Sequence, residues 1–331
     1  MKGQLMAAGP SQKIDLLIYG PNKPLVNDGF SDRFVLHKVA EQAGLERLAP
    51  AFAAQIRGVA VTGLVPANGA SLARFPKVEI IASFGVGYDH VDIGYARDHG
   101  IVVTNTPDVL TEEVADTALG LLIATLREFI QADRYVRSGL WQSQNFPLST
   151  GSLRDRKVGV VGMGRIGQAI GRRLDASRVP VVYHSRKPAR GVSYQHYPNL
   201  IAMAKDVDTL IVITPGGPAT ANLINAEVLR ALGPRGVLIN VARGSVVDEP
   251  ALIAALKSGT ILAAGLDVFA NEPKVPEELR AMSNVVLLPH IGSASVVTRN
   301  AMDQLVVDNL KAWFAGKPPL TPVSETPVKG R

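Results

Sequence analysis

Residues Lys157–Gly167 read Lys-Val-Gly-Val-Val-Gly-Met-Gly-Arg-Ile-Gly, a β-branched run that breaks into Gly162-x-Gly164-x-x-Gly167. An amphipathic stretch, Ile166–Leu174, follows directly. A strand turning into a helix through three glycines at this spacing is the fingerprint of a dinucleotide site. Gly162 permits the tight turn, Gly164 lets the backbone approach a pyrophosphate, and Gly167 lets the helix pack closely on its strand. The helix opening at Arg165 and Ile166 aims free amides and the positive end of its dipole at the phosphates. Few local patterns constrain a fold as much, because this one requires a parallel α/β sheet around it.

The acidic partner of the fingerprint is missing. An Asp or Glu normally stands about 20 residues on, where it holds the ribose 2′-hydroxyl. Here the next strand, Val181-Val182-Tyr183, ends in His184-Ser185-Arg186-Lys187. A carboxylate at that point would repel a phosphate dianion, whereas an Arg–Lys pair binds one. The pattern therefore predicts NADPH as the preferred cofactor, with NADH accepted more weakly. A solvated basic loop is the alternative for Ser185-Arg186-Lys187, and its place at the end of the second strand argues against it.

At 331 residues the chain is long enough for about two domains. Its apolar content of 47% against 19% charged residues is that of a packed globular protein. No apolar run approaches the roughly 18 residues of a membrane helix, and Met1–Lys13 lacks the apolar core of a signal peptide. No membrane partner is expected. With no cysteine, disulfides, a thiol nucleophile and Cys-ligated zinc are excluded; a cytoplasmic location is consistent with this, and no metal is predicted. A net charge of +6 invites a nucleic-acid reading. The basic residues are scattered, however, and the densest group, His184 to Arg190, already has a nucleotide-phosphate explanation. No nucleic-acid partner is predicted, only a preference for anionic substrates.

β-Branched runs alternate with helical patterns along the chain, as in parallel α/β sheets. Strands are predicted at Ile14–Tyr19, Val59–Thr62, Glu79–Ser83 and Ile101–Thr104 before the fingerprint. From it onward they are predicted at Val158–Val161, Val181–Tyr183, Thr209–Ile213, Val237–Asn240, Ala263–Val268 and Val285–Leu288. Helical patterns lie near Phe34–Ala43 and Ile93–His99, and at Pro250–Lys257, capped by Asp248 or Glu249. Thr111–Ile130 reads as one long buried helix entering the cofactor domain, and Lys317–Arg331 as an extended, poorly packed tail. Because the fingerprint opens its domain yet falls mid-chain, the preceding residues need a sheet of their own.

Three segments that follow predicted strands carry polar chemistry, where ligand-facing residues of parallel sheets collect. They are Asn240-Val-Ala-Arg243-Gly244, Asp267-Val-Phe-Ala-Asn-Glu272-Pro273 and Pro289-His290-Ile-Gly292-Ser293. Together they offer a guanidinium, a carboxylate and an imidazole. That set suffices to reduce a 2-oxo acid: Arg binds the carboxylate and polarises the carbonyl, His donates the proton, and the carboxylate keeps His charged. His37, His90, His99, His184 and His196 have no such setting and read as surface or helix residues.

On these segments, with Val241–Asp248 and Ser83-Phe-Gly-Val-Gly-Tyr-Asp89, the chain resembles the D-isomer-specific 2-hydroxyacid dehydrogenase family over essentially its whole length. The resemblance implies two doubly wound parallel-sheet domains, Rossmann-like and flavodoxin-like, with the active site in the cleft between them. It implies a discontinuous substrate domain, residues 1–106 and 288–331, and an NADP-binding domain, residues 107–287. It further implies His290 as acid/base, Glu272 as its partner, Arg243 as substrate clamp, and Val86 and Gly87 amides on the substrate carboxylate. Asp267, Gly292 and Ser293 would lie near the nicotinamide, with Thr214, Val241 and Ala242 along the cofactor. Within the family, NADPH preference points to reduction of glyoxylate or hydroxypyruvate, with hydroxyphenylpyruvate as an alternative substrate. A homodimer is also implied. Trp141 reads as a packed aromatic anchor, although a Trp in this loop reaches a neighbouring subunit in some relatives. A dehydrogenase-like binding module, as in some corepressors, is the non-enzymatic alternative, and turnover of a 2-oxo acid separates the two.

Overall fold

The computed structural model describes residues 13–21, 24–63, 65–149, 151–326 and 328. The chain divides into two compact units, one of residues up to Val109 together with Val296 onward, the other Leu110–Ser295. The polar stretch before Lys13 and most of the final five residues lie outside the described set.

The first unit is built on five parallel strands, β1 (Ile14–Tyr19), β2 (Phe34–Val39), β3 (Ile56–Thr62), β4 (Ile80–Phe84) and β5 (Val102–Thr104), in the order β2-β1-β3-β4-β5. Every residue of β4 and β5 is buried, as expected where helices cover both faces of a parallel sheet. Sequence pattern predicts a helix over Phe34–Ala43, but β2 occupies most of it, followed by the short helix Gln42–Glu46. An edge strand buries only part of each face, and β2 is intermediate at nearly every position. Its apolar residues therefore do not show the continuous run that marks the central strands. His37 belongs to this strand, with Nε2 2.7 Å from Asp15 Oδ1 on β1.

The tail is also better packed than its prolines suggest. β5 ends the sheet and leaves a row of unpaired backbone groups, a liability unless covered. Val323 donates to the Val103 carbonyl, Val103 donates to Thr326 Oγ1, and Pro322 bridges Thr104 in antiparallel fashion. Val323 and Thr326 are buried in consequence.

In the second unit, seven parallel strands run in the order β12-β11-β10-β9-β6-β7-β8. They are β6 (Val158–Val161), β7 (Val181–His184), β8 (Gln195–Tyr197), β9 (Thr209–Val212), β10 (Val237–Asn240), β11 (Ala263–Leu266) and β12 (Val285–Leu287). The order reverses between β6 and β9, and ligands of such sheets bind outside the carboxyl ends of strands at this switch point. β8 is a short strand absent from the sequence prediction. Asp248 caps helix Glu249–Lys257 through its side chain, accepting from the Ala251 amide.

The predicted helix Thr111–Ile130 is two helices, Thr111–Leu126 and Phe129–Arg137. The first packs so closely on β11 that a Cβ at Gly265 would lie 2.6 Å from Thr125 Oγ1 and 2.8 Å from Leu121 Cγ. Arg127 and Glu128 cannot follow that face into the core without burying charge. Glu128 adopts a left-handed conformation (φ 55°) and the helix ends there. The second helix instead leaves Phe129, Ile130 and Val136 exposed, as are Leu140, Leu148 and Trp141 beyond it. At 63% exposure Trp141 is not a packed anchor in this chain.

Residues 288–295, which the resemblance groups with the substrate domain, pack with the second unit. Backbone bonding to β11 and its following loop holds them there: Leu288 donates to the Leu266 carbonyl and His290 to that of Asp267. Among the described residues no helix is long and apolar enough to cross a membrane.

Met203, fully buried on helix Leu200–Asp206, lies over Gly159 of β6 together with Leu210 of β9. Truncating it leaves a cavity beneath the fingerprint strand. Met203→Ala is expected to lower unfolding free energy by about 2–5 kcal/mol, measured by urea denaturation.

Candidate active site

The glycine cradle forms as its spacing requires. Gly162 takes φ 107°, and a Cβ there would lie 2.9 Å from the Thr214 amide nitrogen. Gly167 approaches closely enough that a Cβ would sit 2.1 Å from the Gly162 carbonyl oxygen. Gly164 differs: a Cβ added there would meet nothing within 4 Å. It caps helix Arg165–Ala176 and, with Arg165, is exposed at the start of that helix. Space kept clear over a helix N-terminus suits a pyrophosphate, so the residues present fit a dinucleotide. Thr214 follows β9, while Val241 and Ala242 follow β10, their amides bonded to Val212 O and Asn240 Oδ1.

Beyond the end of β7, Arg186 and Lys187 are exposed, and their side chains meet no partner among the described residues. Ser185 Oγ donates to the Lys187 carbonyl at 2.6 Å, closing a small turn. His184 and His196, which carried no expectation beyond surface or helix, are strand residues here. His184 Nδ1 donates to Tyr197 O, and His196 Nε2 donates to Ser185 O.

The three strand-end segments of the second unit converge around two carboxylates. Asp267, 1% exposed, accepts the Ile291 amide on Oδ1 at 2.7 Å and the Gly292 amide on Oδ2 at 2.8 Å. With the His290 amide on its carbonyl, Asp267 binds three successive amides and holds His290 at φ 55°. A non-glycine residue in that region is strained, and such strain collects where function demands a set geometry. Burial raises the Asp267 pKa, against the bonds from Ile291 and Gly292 and the charge of His290.

Glu272 holds the imidazole itself, with Oε2 2.7 Å from His290 Nδ1 and Oε1 accepting the Phe269 amide. Because a carboxylate only accepts, Nδ1 carries a hydrogen and Nε2 is the atom left to exchange a proton. Burial opposes ionisation of Glu272. The His290 hydrogen bond and charge, the Phe269 amide and the charge of Arg243 outweigh it and leave its pKa lowered. Arg243 is brought near by Gly244, where a Cβ would lie 1.8 Å from the Phe269 carbonyl carbon, so the β10 and β11 loops stack backbone on backbone.

In the first unit, the loop after β4 presents Val86 and Gly87, whose amides have no acceptor among the described residues. It is anchored at Gly85, which exchanges hydrogen bonds with the Thr106 side chain and amide, and at Val86 O, which accepts from Asn105 Nδ2. Sequence reasoning missed Asn105 and Thr106, since nothing local marks two loop residues that serve a segment some 20 positions earlier.

The sequence profile of the D-isomer specific 2-hydroxyacid dehydrogenase, NAD binding domain, matches residues 119–292. A hydroxyphenylpyruvate reductase of Plectranthus scutellarioides is 44% identical over 94% of this chain and 99% of its own. The chain belongs to the D-isomer specific 2-hydroxyacid dehydrogenase family. A glyoxylate/hydroxypyruvate reductase A of Arabidopsis thaliana is likewise 44% identical, over the same shares. Among solved structures, the NADPH-dependent glyoxylate/hydroxypyruvate reductase of Sinorhizobium meliloti, in complex with NADP and malonate, superposes with a TM-score of 0.93. It is 53% identical, covering 97% of this chain and 99% of that one.

For this dehydrogenase the lowered Glu272 pKa has a defined pH signature. A carboxylate whose folded-state pKa is depressed adds stability above its unfolded value, about 4.3 for glutamate, and loses it as pH falls through the folded value. The stability difference between parent and Glu272→Gln is therefore expected to be largest near neutrality and to shrink through the carboxylate range. Urea denaturation of both proteins across that range measures it; a pH-independent difference would contradict the pairing.

Proposed function

We propose that this chain reduces small 2-oxo acids with NADPH, taking glyoxylate to glycolate and hydroxypyruvate to D-glycerate. One observation carries the reading: the His290–Glu272 pair, 2.7 Å apart, shares a unit with a glycine cradle whose second strand ends in Ser185-Arg186-Lys187. The same activity and cofactor in the Sinorhizobium meliloti relative support it.

Gly162, Gly164, Arg165, Ile166 and Gly167, with Thr214, Val241 and Ala242 on the neighbouring strand ends, would hold NADPH, which would supply the hydride. Ser185, Arg186 and Lys187 take the 2′-phosphate. Asp267, Gly292 and Ser293 stand toward the nicotinamide, where Asp267 acts chiefly by fixing the turn that carries His290. Arg243 binds the substrate carboxylate and polarises the keto oxygen. His290 gives the proton on Nε2 to the oxygen. Glu272 holds Nδ1, fixes the ring plane and stabilises the imidazolium before transfer.

A hydroxyphenylpyruvate reductase is the second reading, favoured by the Plectranthus scutellarioides relative. The exposed apolar surface of Phe129, Leu140, Trp141 and Leu148 supports a homodimer. Absence of cysteine accords with a cytoplasmic location.

Initial rates with glyoxylate, hydroxypyruvate, pyruvate and phenylpyruvates, each with NADPH and NADH, test the reading. The highest kcat/KM is expected for NADPH with glyoxylate or hydroxypyruvate, and no turnover with any of them would favour a binding module. His290→Ala and Arg243→Ala are each expected to lower kcat/KM by at least ~100-fold. Combining Ser185→Asp with Arg186→Ala is expected to invert the NADPH/NADH preference, read from the ratio of kcat/KM values.

A further inference from the structure

The Ser185–Lys187 turn has a second layer behind it. On the register of β7 and β8, Tyr183 lies opposite His196 and His184 opposite Tyr197. Across that pairing the two histidines bond in opposite senses, His184 Nδ1 to Tyr197 O at 2.8 Å and His196 Nε2 to Ser185 O at 2.9 Å. Both acceptors are carbonyls, so both ring nitrogens carry hydrogen. On its other side the end of β7 is tied to the cradle, because the Gly162 amide donates to His184 O.

The same few residues hold the far end of the basic loop. Tyr183, almost fully buried, accepts the Ala189 amide on its hydroxyl at 3.0 Å. The His196 ring packs on the Tyr183 ring with centroids 5.1 Å apart. Arg186, Lys187 and Pro188 thus lie between two anchors, Ser185 O and Ala189 N, whose partners touch each other. Pro188 narrows the intervening chain further by fixing its φ.

The bond to Ser185 O also sets the next amide. In a trans peptide the N–H points opposite to the C=O, so drawing Ser185 O toward His196 turns the Arg186 amide to the other side. That amide has no acceptor among the described residues, and neither have the Arg186 and Lys187 side chains. A backbone donor and two cations are left unspent on one short turn. Holding such donors in place before the ligand arrives removes ordering cost from binding, and it does so only for a ligand that contacts them.

We infer that His196 is a positioning residue for cofactor selection, fixing the Ser185–Ala189 turn so that it grips the 2′-phosphate of NADPH. The inference rests on the assignment of that phosphate to Ser185, Arg186 and Lys187. NADH has no 2′-phosphate and makes no use of the fixed turn. His196 therefore acts on the choice between the two cofactors and not on the chemical step. The operative feature is the Nε2–H donor and not a charge, since a neutral ring makes the same bond.

Steady-state kinetics of the full chain with each cofactor test this on His196→Ala, His196→Gln and Arg186→Ala, with melting temperatures measured alongside. Loss of one hydrogen bond of this kind is expected to raise KM for NADPH in His196→Ala roughly three- to tenfold. KM for NADH and kcat at saturating NADPH are expected to stay within about twofold. His196→Gln, whose side-chain amide can replace the Nε2–H donor, is expected to restore most of the NADPH affinity. Equal weakening toward both cofactors, no change in His196→Ala, or a glutamine variant as poor as the alanine would overturn the inference. Arg186→Ala separates this from the underlying assignment. A fall in NADPH preference there with none in His196→Ala defeats only the role of His196. An unchanged ratio in Arg186→Ala defeats the phosphate assignment and the inference together.

Discussion

A carboxylate withdrawn from water organises the chemical end of this molecule. Asp267 leaves β11 buried, and its two oxygens and its carbonyl take the amides of residues 290 to 292. Burial works against its charge, and the Ile291 and Gly292 amides, with the charge of His290, counter only part of that penalty. The turn so formed keeps His290 in a left-handed conformation that an unsupported histidine would leave. Glu272 then needs only to meet the ring, which it does at 2.7 Å while anchored by the Phe269 amide. One acid shapes the turn and the other orients the imidazole. Two carboxylates that look alike in the sequence thus have different work because their burial and partners differ.

The basic turn after β7 follows the same logic with weaker groups. Its charges, Arg186 and Lys187, are exposed and unpaired among the described residues, so by themselves they would sample many geometries. Hydrogen bonds from His196 and to Tyr183 supply the definition. The division is physically reasonable: exposed cations contribute attraction but little geometry, while partly buried donors contribute geometry but little attraction.

The sheet cores were largely legible from sequence. Val158–Val161 and Val237–Asn240 appear as predicted, because strands buried on both faces must be continuously apolar. Failures cluster where burial is one-sided or partial. β2 at a sheet edge resembled a helix, and β8 gave no apolar run at all. The helix from Thr111 lost its last turn where charge met the end of the covered surface, and the tail was underrated because its partner, the open edge of β5, is not written near it. His290, Glu272 and Arg243 drew notice in the sequence because each lies in a segment that follows a strand. Asn105, Thr106 and His196 did not, since each serves backbone atoms of a segment elsewhere in the chain.

Local order alone determined that the chain carries the three-glycine cradle between a strand and a helix, and that a hydroxyl and two cations stand where an acid is usual after the second strand. These follow from backbone sterics and charge within a few residues of one another. Tertiary structure decided how such residues are held: that Asp267 supports the His290 turn, that Glu272 faces Nδ1, and that a histidine on an unforeseen edge strand bonds the Ser185 carbonyl. Each depends on a backbone amide or carbonyl finding a partner across strands. Every residue carries those groups, so sequence cannot say which pairs will meet until the sheet has set their register.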